Sequence, residues 1–369
     1  MKKYALIILL IYLCACQHSK EKDTAQKVSN PQYINNQKLR DKKQFFADDS
    51  FWNQPIPKDA AIDPSNKHFI KLLKSEPTHN NFGLSLYKWT IPIFEVDSTT
   101  PTYHIQLHHL DTAEKKRWNT KRKTFGHGEG FGKTVPIPDL ARPDGEKDAH
   151  MALIDWDRML AWDMWQLHKQ NDGSYESSTG MKYPLNGSGT FKTADFSVQN
   201  GESIHFHGPS RAAGVPIFAG LIMYHEVING EIKHKLSCAT RFAAFQEFVY
   251  PATWTDGFLK GGIPEGAVIQ LDPNLNLSQF DLLPGEIVVA KALQQYGMVI
   301  VDVAQGQPIY AENLESHAGK SWKGVLREWN GGINTIPLDH YRILKLNDII
   351  KKGDARSLKM PYWSEGFGI

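Results

Sequence analysis

The sequence predicts a mainly β fold, a β-sandwich or jelly-roll-like body with a few short helices. Three observations predict it. From about residue 84 onward, short runs of β-rich or alternating sequence are separated by clusters of Gly, Pro, Asn and Asp. The 29 Gly and 20 Pro of the 369 residues supply turn formers at that density. Apolar residues follow helical spacing clearly in only two segments, so the alternating strand and helix rhythm of an α/β chain is absent.

The chain opens with Lys2 and Lys3, an apolar run over Ala5 to Leu13, and then Leu13-Cys14-Ala15-Cys16. A basic n-region, a short apolar h-region and a small-residue cleavage site make a signal peptide over residues 1–15. Its ending in Cys resembles a bacterial lipobox, which would make Cys16 the lipidated first residue of the mature chain. Gln17, not an aspartate, follows, so the expected address is the outer membrane, with the lipid as the membrane contact. A plain secretory signal cut nearby is the alternative. Residues 16–45 are polar, with seven Lys/Arg against three Asp/Glu between 17 and 45, and read as a flexible tether. A single β-rich domain over 46–369 follows.

Within that domain, Asp63 and Ser65 as caps, Pro64, and Phe69, Ile70, Leu72 and Leu73 at helical spacing predict a short helix over 63–75. Strands are predicted at Leu84 to Ile91, Tyr103 to Leu110, His150 to Asp155, Met159 to His168, Ser174 to Met181, Ser203 to His207, Ile217 to Met223, Lys235 to Arg241, Ala267 to Leu271 and Met298 to Val303. Between them, residues 126–148 form a long Gly- and Pro-rich loop, of a length often functional. A second helix is predicted from Pro284 to Tyr296, with Pro near its start and Gly297 as its stop.

Charge and cysteine count narrow the function. Without residues 1–15 the chain carries 40 Lys+Arg and 40 Asp+Glu, with the charges interleaved. That is not the clustered basic face that displaces counterions from phosphates, so nucleic acid is not an expected partner. Cys14 leaves with the signal and Cys16 is the anchor, so Cys238 alone remains in the fold, which excludes an intramolecular disulfide and a multi-Cys metal site.

Fifteen histidines supply the candidate chemistry. A strand through Tyr103-His104-Ile105-Gln106-Leu107-His108 puts His104, Gln106 and His108 on one face. A second, Ser203-Ile204-His205-Phe206-His207, aligns Ser203, His205 and His207. Such strips serve as general acids and bases, as ligands of a divalent Zn, Mn or Fe ion, or as solvent-facing and core histidines without catalytic use. His-x-His is the ligand pair of the cupin barrel. The Glu which that barrel places four or five residues later is here Arg211 and Ala212, so no metal is expected as a fixed cofactor, although a His-liganded divalent ion stays open. Gly208-Pro209-Ser210-Arg211 is a tight loop that presents Arg211, whose planar fork matches the carboxylate of a uronic acid or a sulfated sugar. Trp165 and Trp254 are candidate platforms for sugar rings, although most of the tryptophans are expected in the core. Tyr250 is a candidate phenolic acid or base. The Gly-x-Ser-x-Gly elbow, the Walker loop, the His-Glu-x-x-His helix and the Rossmann fingerprint are all absent.

Six segments carry a resemblance as a set: Phe51-Trp52-Asn53-Gln54-Pro55-Ile56-Pro57, Asp148-Ala149-His150-Met151, Asp163-Met164-Trp165-Gln166, Tyr250-Pro251-Ala252-Thr253 with Asp256-Gly257, Ile263-Pro264-Glu265-Gly266 and Ala292-Leu293-Gln294-Gln295-Tyr296-Gly297. Over roughly residues 45 to 315 the chain resembles a family of exported bacterial proteins that includes the ulvan oligosaccharide dehydratases. The resemblance implies a carbon–oxygen lyase acting on an anionic oligosaccharide. It would eliminate water across C4 and C5 of a non-reducing-end glucuronic or iduronic acid and leave a 4,5-unsaturated uronate. Arg211 or a histidine pair would neutralise the carboxylate, a base such as His207 or Tyr250 would take the C5 proton, and a second His or Tyr would protonate the leaving hydroxyl. A polysaccharide lyase using the same elimination, and a surface glycan-binding lipoprotein without catalysis, are the alternatives.

Overall fold

The computed structural model describes residues 31–117, 124–128, 131–191, 208–315 and 317–351. Strand outweighs helix, 27% to 18%, in several sheets with few short helices, so the fold is mainly β and sandwich-like. Two six-stranded mixed sheets carry it. The first runs in the order Gly83–Ser85, Pro308–Tyr310, Leu236–Ala239, Met298–Asp302, Val268–Leu271, Tyr341–Ile343. The second runs Glu312–Asn313, Ile91–Glu95, Met151–Asp155, Leu160–Trp165, Thr179–Pro184, Gly126–His127.

Side-chain alternation explains how the sheets stack. In Met298–Asp302, Met298 and Ile300 point to one core while Val299 and Val301 point to another. In Met151–Asp155, Ala152 and Ile154 enter the core that Val299 and Val301 enter, while Met151 and Leu153 face a third. The middle core is thus shared by the two sheets. Strands buried on both faces read as continuous apolar runs, which is why these two lack polar alternation.

Helix α1 spans Pro31–Lys42, α2 Asn66–Lys74, α3 Thr112–Arg117, α4 Tyr224–Asn229 and α5 Pro284–Gln295. Three of these five, α2, α4 and α5, pack their apolar side chains against the outer core of the first sheet. In α2, Ser65 is the cap residue and Asp63 accepts its backbone N–H at 2.8 Å, while Phe69 and Leu73 are buried. Pro284 opens α5, Glu286 accepts the Leu283 N–H at 2.7 Å, and Gly297 ends it at φ 72°.

Several boundaries differ from the sequence reading. The run read as one strand over Leu84 to Ile91 is broken by a turn that sends Gly83–Ser85 to one sheet and Ile91–Glu95 to the other. Ile217 to Met223 is a buried connection and not a strand, because its backbone closes turns on itself, Ala219 N–H to Pro216 O and Leu221 N–H to Phe218 O, and meets the strands only at Ser237, Tyr310 and Glu312. Part of the expected tether is helix α1, whose Leu39 is fully buried. Among the described residues, no helix is long and apolar enough to cross a membrane.

Candidate active site

A cavity of about 850 Å³ opens where the ends of the two sheets meet. Arg211, Asp302, Tyr310, His150 and Asp148 line it, and Tyr87, Trp89 and Trp329 stand among its walls. Each arrives on a different element. Asp302 ends the strand Met298–Asp302, Tyr310 ends Pro308–Tyr310, and His150 immediately precedes Met151–Asp155.

Arg211 comes from the segment 208–221, which lies between the sheets and is pinned by a buried carboxylate. Asp163, fully buried on the strand Leu160–Trp165, accepts hydrogen bonds from the Ser210 N–H and hydroxyl at 3.2 and 3.0 Å, from the Ile217 N–H at 3.0 Å and from the Tyr183 hydroxyl at 2.9 Å. Burial pushes its carboxyl up to about 6 against these donors. The other side of the segment is tied by the Ala213 N–H to Val301 O at 3.0 Å. Gly220, at φ 74°, closes it, since a Cβ there would sit 2.7 Å from the Leu236–Ser237 backbone.

So fixed, Arg211 is 2% exposed. Its guanidinium carbon lies 4.3 Å from the Tyr310 ring centre, one terminal nitrogen donates to Ile217 O at 2.9 Å, and the other stands 3.4 Å from the Asp302 carboxylate. A guanidinium has five N–H donors, and these two contacts engage one on each terminal nitrogen at the cavity wall. The stacked ring restricts its plane.

His150 is buried, and desolvation lowers its imidazole to about 4, against the pull of Asp148. Its Nδ1 is 3.4 Å from Met164 O. With the proton on Nδ1, Nε2 keeps a lone pair. Asp148 in turn accepts the Trp165 indole N–H at 3.1 Å. Between Asp148 and His150, Ala149 adopts φ 40°, a left-handed conformation uncommon for alanine, and this brings both neighbouring side chains to the cavity. Burial holds the Tyr310 hydroxyl well above its usual range, so it is protonated at neutral pH.

The rim is aromatic. Trp89 is 45% exposed and Tyr87 stands beside it, while Trp329 stacks on His79 at 4.1 Å with 14° between the rings. Gly83 makes room for Trp329, because a Cβ there would fall 2.2 Å from the indole. Behind the cavity, Glu265 is fully buried. Burial first, then the charges of Asp256 and Asp302, push its carboxyl well up. Asp302 is pushed up to about 8 by burial and by Asp256, with Arg211 opposing.

Of the residues singled out from the sequence, Arg211 lies in this cavity and Trp165 supports its wall through Asp148. His205, His207 and Cys16 lie outside the described residues. His104 and Gln106 are exposed on or beside a small sheet formed by Ile105–Leu107, Tyr175–Ser177 and His168–Lys169, and do not line the cavity. His108 is engaged there, with Nε2 3.0 Å from Glu114 and Nδ1 3.3 Å from Glu176. Trp254, 4% exposed, is a core side chain and offers no platform. Tyr250 does not line the cavity either; it is 42% exposed, packs edge-on to Phe51 at 5.3 Å and donates to Thr190 at 3.2 Å. The phenol beside Arg211 is that of Tyr310 instead. Tyr310, Asp302 and the roles of His150 and Asp148 were not read from the sequence. The one signal for the last two is the segment Asp148-Ala149-His150-Met151, two polar side chains flanking Ala149 before an apolar strand.

Two smaller cavities, about 500 and 250 Å³, share Lys43, Phe45, Met223 and His225 beside the end of α1. Among the described residues, no group of three or more His, Cys, Asp or Glu is placed to hold a metal ion. No protein-family model matches the chain, and neither a curated protein nor a solved structure matches it.

Proposed function

We propose that the protein is a carbon–oxygen lyase that eliminates water from the terminal uronic acid of an anionic oligosaccharide. The observation that carries this reading is the convergence of Arg211, His150 and Tyr310 on one cavity. β-Elimination from a uronate needs the carboxylate neutralised, so that charge developing on it as C5 loses its proton is stabilised, and it needs a base and an acid. Arg211 supplies the neutralising fork. His150, kept neutral by burial, takes the C5 proton on Nε2, and the anionic substrate raises its basicity on arrival. Tyr310 gives its proton to the C4 hydroxyl, which leaves as water while the C5–H electron pair becomes the C4=C5 double bond. Transfer of the proton from His150 back to the Tyr310 phenolate restores both groups, so no proton is consumed. Trp89, Tyr87 and Trp329 offer flat faces to the sugar rings.

The N-terminal Leu13-Cys14-Ala15-Cys16 segment supports a lipid anchor at Cys16 and an outer-membrane location. Purified protein mixed with uronate-terminated ulvan oligosaccharides tests the activity through ultraviolet absorbance and product mass. New absorbance with loss of one water and no shortening is the expected result. The same absorbance with shorter products would make the protein a chain-cleaving lyase. The exposed aromatic rim favours one second reading, a glycan-binding lipoprotein, which binding without new absorbance would establish.

A further inference from the structure

Three buried polar atoms converge on the smallest of the cavities, beside the end of α1, with no hydrogen-bond partner among the described residues. They are Trp156 Nε1, His225 Nε2 and His317 Nδ1, and all three residues line the same space of about 250 Å³. Buried polar groups of folded proteins are nearly always hydrogen-bonded, so three exceptions around one small cavity point to a ligand that supplies the bonds. Their demands differ. The indole N–H of Trp156 only donates. His317 Nε2 faces Ile93 O at 2.6 Å, a pure acceptor, so Nε2 holds the proton and Nδ1 of the neutral ring only accepts. A hydroxyl does both, so a ligand carrying several of them satisfies all three atoms.

Charge and shape narrow the ligand further. Lys43 donates to Glu95 at 2.6 Å and Lys320 stands 3.7 Å from Glu312, so the two ammonium groups of this wall already face two carboxylates. That balance disfavours an anion, and an apolar guest would leave the three polar atoms unpaired. The remaining walls are flat rings. Phe45 lies parallel to Trp156 at 5.6 Å with 7° between them, and Phe94 lies on His317 at 5.1 Å with 11°. Such rings pack against the apolar face of a pyranose. On either side of Phe45 the chain turns through left-handed residues, Lys43 at φ 50° and Phe46 at φ 67°, a strain of the kind that ligand clamps store.

We propose that this cavity is a second carbohydrate site, which takes one neutral pyranose. Trp156 donates to a sugar oxygen, His225 and His317 bond neighbouring hydroxyls, and the aromatic walls cover the ring. The space is below the range of about 300–1,000 Å³ usual for drug-sized ligands, which suits a single sugar. The cavity of about 500 Å³ adjoins it through Lys43, Phe45, Met223 and His225 and leaves room for the rest of a glycan chain. Neither space shares a lining residue with the cavity around Arg211, so this site stands or falls independently of the elimination.

The test is NMR of the isotope-labelled full-length protein, in which the Trp156 indole N–H resonance is identified by its loss in Trp156→Phe. Methyl glycosides of glucose, galactose and mannose are added singly to about 100 mM, and glucuronate likewise. At least one neutral glycoside should shift this resonance saturably with a dissociation constant of about 1–10 mM, and glucuronate should need about tenfold more. His225→Phe removes an atom that holds nothing in the free protein, so its melting temperature should stay and the dissociation constant should rise about tenfold. His225→Gln, which keeps a hydrogen-bonding end, should bind within about threefold of the wild type. Absence of a saturable shift with all three glycosides, or an unchanged constant in His225→Phe, overturns the site and leaves the elimination reading untouched. A tighter response to glucuronate than to every neutral glycoside overturns the neutral ligand.

Discussion

Arg211 and Tyr310 divide one face-to-face contact into two separable tasks, and single substitutions can pull those tasks apart. Arg211→Lys keeps the charge and loses both the fork and the flat stacking on Tyr310. The expected loss in kcat/KM is about 100-fold, roughly 3 kcal/mol of transition-state stabilisation. Tyr310→Phe keeps the ring beneath the guanidinium and removes only the hydroxyl. Here kcat should fall by about 10²–10⁴ while KM stays near the wild-type value. Steady-state kinetics on uronate-terminated oligosaccharides measure both, and a Tyr310→Phe enzyme at half the wild-type rate would remove the phenol from the reaction. Arg211 was legible in the sequence because Gly208-Pro209-Ser210 announces a tight turn that must present whatever follows it. Tyr310 was not, since no predicted strand or motif covers Pro308-Ile309-Tyr310; only its pairing with Gly83–Ser85 and Leu236–Ala239 brings the phenol to Arg211.

The segment 208–221 is the element on which the cavity depends, and it owes its place to contacts distant in sequence. Asp163 gathers four donors, three of them from that segment, at a fully buried position. Asp163→Ala strands these donors, and the expected cost is about 3 to 5 kcal/mol in urea denaturation. A loss under about 1 kcal/mol would show that the segment is held by its packing instead. At the opposite wall, Gly83→Ala forces a methyl group into the Trp329 indole. The ring must swing off His79, so KM should rise several-fold with kcat little changed, a split that kinetics reads directly. The sequence reading identified α2, α5 and the strands Met151–Asp155 and Met298–Asp302, whose apolar periodicity is strong and local. It read Ile217 to Met223 as a strand because that run is apolar. Its burial comes from lying between two sheets, and periodicity cannot separate that from strand pairing. The left-handed Ala149 and the turn that divides Leu84 from Ile91 are likewise set by tertiary contacts that no local propensity encodes.

Over the whole molecule, buried titratable groups of opposite behaviour give stability a pH dependence that can be worked out by sign. His127 and His150 are held down to about 4 by burial, so their neutral forms favour the fold above about pH 6.5, and that contribution is lost as the pH falls towards 4. Asp144 and Asp163 are pushed up to about 6 and Asp302 to about 8, burial being the first cause in each. A raised carboxyl favours the fold below its unfolded value and loses that contribution as the pH rises through its folded value. Between about pH 6.5 and 8 Asp302 still binds a proton that the unfolded chain has released, so its own contribution falls steadily across the window. That share amounts to about 2 kcal/mol for a single such group. Asp302→Asn carries no proton to lose, so its unfolding free energy, measured by denaturant titration at each pH, should run flatter by that amount. Parallel curves for the two proteins would mean that Asp302 is ionised throughout, spending its charge on Arg211 at neutral pH. Asp302 would then hold the guanidinium where the proposed reaction needs it for the substrate carboxylate, which ties the stability of the entire chain to the state of one carboxyl at the cavity.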